Sequence, residues 1–95
     1  MGAMSFVVER IGKSADQCFK DAREGALYDH GHDGYSGTIG EKNTFTMLPL
    51  IDGKNAIDSA WQYINNCDPR VDDKWGPAGC IKTDDGFVFF GWASA

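Results

Sequence analysis

Apolar positions recur along this chain in two rhythms. Ala15, Cys18, Phe19, Ala22 and Ala26 follow the i, i+3, i+4, i+7, i+11 pattern of one helical stripe, with Asp16, Lys20, Asp21, Arg23 and Glu24 opposite. Ser14 stands where an N-cap belongs, and Gln17 follows it at the capping-box spacing. Gly25 weakens this helix by roughly 1 kcal/mol relative to alanine, and the pattern carries it to about Tyr28. A second stripe, Ile57, Ala60, Trp61 and Ile64, starts behind Asn55 as cap, with Asp58 in its first turn. Pro69 closes it.

The other rhythm is that of strands. Residues 5–11 are short and rich in β-forming side chains, and 44–50 open on a Thr/apolar alternation. Pro49 places the second run at a strand end or a sheet edge. Residues 79–83 and 87–92 form a hairpin about Asp84, Asp85 and Gly86, a type I turn with the glycine in the left-handed position. Phe87, Phe89, Phe90, Trp92, Trp61 and Trp75 are expected in the core, although Phe89 and Phe90 must point to opposite faces. Residues 68–79 read as an exposed loop with Trp75 as its anchor. The order β-α-β-α-β-β predicts an α+β fold. It is expected as a two-layer sandwich, a mainly antiparallel four-stranded sheet with both helices on one face.

Size permits one domain, residues 4–95, behind an expression scar at 1–3. A 42% hydrophobic and 13% aromatic content is that of a folded chain. The net charge of −5 argues against non-specific nucleic-acid binding, which needs a clustered basic surface. Asp68, Asp72, Asp73, Asp84 and Asp85 crowd the C-terminal third, either as a solubilising surface or as a face for a basic partner. No apolar run approaches the roughly 20 residues of a membrane span, and the start is not of the secretory kind. Three cysteines, Cys18, Cys67 and Cys80, lack a CxxC pairing and suit a reducing compartment. Cys18 lies on the helical stripe, as a small buried hydrophobe does. The expected location is the cytoplasm.

The densest chemistry lies between Tyr28 and Lys42, in a glycine-rich loop over 30–43. Gly31, Gly34, Gly37 and Gly40 recur every third residue among two His, two Tyr, Thr, Glu and Lys. Glycine loses the most conformational entropy on folding, so four of them in a polar segment indicate demanding backbone geometry. The order of a phosphate loop is absent, since no Ser or Thr follows Lys42. His30 and His32 share a face in extended chain, but a third metal ligand from Asp33, Glu41 or Cys80 has no supporting spacing. No metal or cofactor is assigned. His32 with Glu41 can form an acid–base pair, with Ser36 or Thr38 as a hydroxyl, yet no triad spacing or nucleophile elbow accompanies them.

Tyr28 and Tyr35 offer flat amphipathic contact area, Thr38 a hydrogen bond, and Lys42 a single cation. With His30, His32 and Glu41 these are the candidate contacts to a small polar ligand or a partner protein, and the four glycines shape the backbone. A small hydrolase or transferase using His32 and Glu41 is the first alternative. An acidic decoy that blocks a basic surface is the second. Monomer and homodimer are both open.

The run Tyr28-x-His30-Gly31-His32-x-Gly34-Tyr35-x-Gly37-Thr38-Ile39-x-Glu41-Lys42 resembles a segment of small uncharacterised proteins encoded by tailed bacteriophages. The likeness spans about a third of the chain. It implies an accessory phage product in the infected bacterial cytoplasm that binds a host factor, or a defence-system component or signal.

Overall fold

The last strand decides the architecture, because it is apolar on both sides. In the computed structural model, residues 2–30 and 37–94 are described, with the backbone alone at His30. Strand β4 (Gly86–Ser94) is flanked by β1 (Ala3–Ile11) and β3 (Ala78–Lys82), and β2 (Phe45–Met47) lies outside β3, giving the order β1-β4-β3-β2. β4 is antiparallel to both neighbours, while β2 and β3 are parallel. The α+β class and the mainly antiparallel four-stranded sheet are as the pattern predicts.

The placement of the helices differs from the expectation of a single covered face. Helix α1 (Ala15–His30) packs Cys18, Phe19 and Ala22 against Phe6, Cys80 and Phe89. Helix α2 (Ala56–Asn65) packs Ala60, Tyr63 and Ile64 against Ile81, Val88 and Phe90. Successive β4 side chains alternate between faces, so the helices lie on opposite sides of the sheet. The Phe19 ring meets Phe89 at 5.5 Å, and Tyr63 stacks on Phe90 at 5.7 Å on the far side. Connection geometry gives the reason. The chain crosses from β1 to β2 through α1, then turns back from β2 to β3 through α2. Two crossings of one hand that run in opposite directions across a sheet must cover opposite faces, and parallel connections strongly favour one hand.

The local signals hold at the helix starts. Ser14 Oγ accepts from the Gln17 N–H at 3.3 Å, and Asn55 Oδ1 accepts from the Asp58 N–H at 2.8 Å. The Gln17 side chain donates forward to Asp21 instead of closing the capping box. At the end of α2, Cys67 takes a left-handed φ of 54°. Its N–H donates to Ile64 O and that of Asp68 to Tyr63 O, the bond pair of a Schellman motif. That geometry ends the helix before Pro69 is reached.

Two side chains and one glycine are misread from the sequence pattern. Trp61 is 40% exposed, and Tyr63 takes the core position in its place, its hydroxyl donating to Pro49 O at 2.7 Å. Trp75 is 64% exposed, and Val71 anchors that loop instead. Gly86 is not left-handed; it is needed because a Cβ there would collide with the Arg10 carbonyl in the neighbouring strand. Ala3, read as lying ahead of the natural start, is the first residue of β1 and pairs with Ser94. Cys18 is buried as expected, and so is Cys80, whose thiol is pushed up to about 12 by burial and by Cys18 beside it.

Candidate functional site

The described part of the glycine-rich segment, from Gly37 on, lies at the end of the sheet where β1 begins and β4 stops. Its second half, residues 37–42, is built into the body of the protein. Gly37 has φ 71°, and its N–H donates to Ser94 O at 2.8 Å. A Cβ there would be strained and would stand 2.9 Å from Met4 Sδ. Thr38 caps a short 3-10 helix (Ile39–Glu41), its hydroxyl accepting from the Gly40 N–H at 3.2 Å. Ile39 is buried in the core under α1. Arg23 Nη2, from α1, donates to Gly40 O at 3.2 Å.

Lys42 departs furthest from its expected role as an outward cation. It is 1% exposed. Its ammonium donates to the carbonyls of Asp73 and Lys74 at 3.2 Å and of Gly76 at 2.9 Å. A lysine ammonium has three donors and no acceptor, so these carbonyls satisfy it. Burial holds its pKa below the usual lysine value, and the charge of Asp73 opposes that shift. Lys42 is therefore an internal tie between the glycine segment and the 73–76 turn. It is not a group available to a ligand.

The other candidates divide. Tyr28, in the last turn of α1, is 89% exposed. Thr38 uses its hydroxyl as a cap while lining a hollow of about 200 Å³ between β1 and α1. Glu41 is half-buried in the 3-10 helix. His30 ends α1, and its side chain lies outside the description. His32, Tyr35, Gly31 and Gly34 lie outside the described residues, so the His32–Glu41 acid–base pair does too. Among the described residues no three His, Cys, Asp or Glu side chains converge as a metal site would require. Nor is any described helix long and apolar enough to cross a membrane.

Two features of this end were not indicated by the sequence. The Lys42 bonds fix the turn that carries Trp75, over whose ring Lys74 Nζ stands at 5.3 Å. Lys74 Nζ also donates to Gly2 O at 3.4 Å, which places that turn at the start of β1. Exposed Met4, Tyr28 and Trp75 thus share one end of the sheet. The opposite end holds a larger open hollow of about 410 Å³ between the start of α2 and the β3–β4 turn. Glu9, Leu50, Ile57 and Lys82 line it with Asp84 of the acidic set, and none of the candidate contacts from the glycine-rich segment does. Compared with protein-family models, with curated proteins and with solved structures, the chain matches none.

Proposed function

We propose that this protein is a small, non-catalytic binding module. Its contact surface is the end of the sheet that carries the glycine-rich segment. The observation behind this reading is the pairing of a rigid base with exposed aromatic side chains. Residues 37–42 are tied to β4, to α1 and to the 73–76 turn, while Tyr28 and Trp75 stand 89% and 64% exposed beside them. Tyrosine and tryptophan lead the residues that dominate binding energy, and presenting them on a fixed backbone reduces the ordering cost of association. The likeness to phage accessory proteins makes a host or defence-related protein, or a small polar ligand, the target. Catalysis by His32 and Glu41 has no further support from the described residues.

The test compares wild type with a Tyr28→Ala, Trp75→Ala double variant, both recovered from infected bacteria with whatever they hold. Both sites are exposed, so the variant should unfold with the wild type. The expected result is a molecule retained by wild type and reduced about tenfold or more in the variant, the loss of a single anchor being worth 1–2 kcal/mol or above. Equal retention would refute the assignment of this surface.

A further inference from the structure

β1 is an edge strand nine residues long, and among the described residues no strand pairs with its outer side. Which of its backbone groups face outward follows from one hydrogen bond. The Gly12 N–H donates to Asp85 O, continuing the Ile11–Gly86 register by one residue. Antiparallel bonding alternates along a strand, so even-numbered residues of β1 bond β4 and odd-numbered ones face away. The partners agree. Ser94, opposite Ala3, gives its carbonyl to Gly37, and Gly86, opposite Ile11, bonds Thr83 on its other side. Ser5 and Val7 therefore present N–H and C=O to the outer edge. Glu9 does so too, although Arg10 Nη1 already covers its carbonyl at 2.8 Å.

The even-numbered side chains Phe6, Val8 and Arg10 point to the α1 face, where they line the hollow of about 200 Å³. Its other wall is α1, and there the sequence supplies small residues, Gly25 and Ala26. Thr38 and Ile39 complete the lining, and no β3 or β4 side chain contributes, so among the described residues the hollow belongs to the β1 side of the sheet. Arg10 closes it near the end of β1, and Asp29 stands at the other end. A free strand edge beside an apolar furrow walled by a helix is the arrangement that takes an added strand. Main-chain bonds supply affinity there, and alternate side chains fill the furrow.

We infer that β1 and the furrow between β1 and α1 bind an extended, largely apolar segment of a partner protein as a fifth strand. Charge complementarity further defines the segment: a basic side chain at the Asp29 end and an acidic one beside Arg10. A net charge of −5 favours the basic feature. This goes beyond the Tyr28 surface and does not depend on it.

The probe is a displayed library of random linear peptides, selected on the full protein. Two variants block the proposed site while sparing the fold. Ser5→Pro removes an N–H that faces outward and so breaks no bond to β4. Gly25→Leu fills the furrow from a helix position where only the end of Arg10 lies near. The expected result is enrichment of peptides with alternating apolar residues and a basic terminus, bound about tenfold or more weaker by each variant. The Ser5 and Val7 amides should also become protected from exchange on binding. Peptides bound equally by wild type and Ser5→Pro would overturn the inference, as would the absence of any enrichment. So would a wild-type dimer that Ser5→Pro renders monomeric, since a second copy would then hold the edge.

Discussion

Lys42 shows how one buried charge organises a surface it never reaches. Its ammonium is excluded from water and held by three carbonyls of a single turn. Replacing it with methionine keeps the volume but leaves those carbonyls without their donor. The expected cost is about 2 kcal/mol of stability, read by denaturant unfolding, with faster amide exchange at the 73–76 turn. The pH dependence has a definite sign. The folded pKa lies below the unfolded value of 10.5. Below the folded pKa the lysine is charged in both states, and its full burial cost applies. As pH rises through the folded value toward the unfolded one, the native state sheds its proton first and that cost is relieved. Wild type should therefore gain on Lys42→Met across the alkaline window and show no such change near neutrality. A stability difference flat in pH would contradict the assignment of charge to the buried group.

At the scale of elements, two glycines should respond in opposite directions. Gly79 in β3 lies under the Phe90 ring, whose nearest atom would be 2.4 Å from a Cβ. Gly79→Ala should cost about 1–3 kcal/mol by overpacking. Gly25 in α1 has only Arg10 Nη2 at 3.4 Å, so Gly25→Ala should stabilise by about 0.5–1 kcal/mol through helix propensity. Thermal unfolding of the two variants checks both signs. The helices themselves were legible in the sequence because their signals are local: a stripe of apolar residues, with Ser14 and Asn55 as caps. The face each helix covers was not legible from the same cues. It depends on β2 pairing parallel to β3, a contact set by the crossing direction and not by any neighbouring residue. One hint was present, since the Phe-Val-Phe-Phe run of 87–90 is what a strand covered on both faces requires. The candidate site was legible in part for a similar reason. Tyr28 falls on the polar side of a readable helix, whereas Lys42 finds its acceptors 31, 32 and 34 residues away in sequence.

At the scale of the whole molecule, the described residues give two covered sheet faces, one long unpaired edge and two unlike ends. The edge and the Tyr28 end adjoin each other through Asp29 and Thr38, while the β3–β4 turn and the start of α2 occupy the far end. The proposed binding role predicts that a partner registers on the first pair of surfaces and leaves the second untouched. The direct measurement is amide hydrogen exchange on the protein with a peptide selected on it, compared with the protein alone. Added protection should fall on the last turn of α1 around Tyr28 and on the outward-facing amides of β1. Protection confined to the start of α2 and the β3–β4 turn would contradict the account.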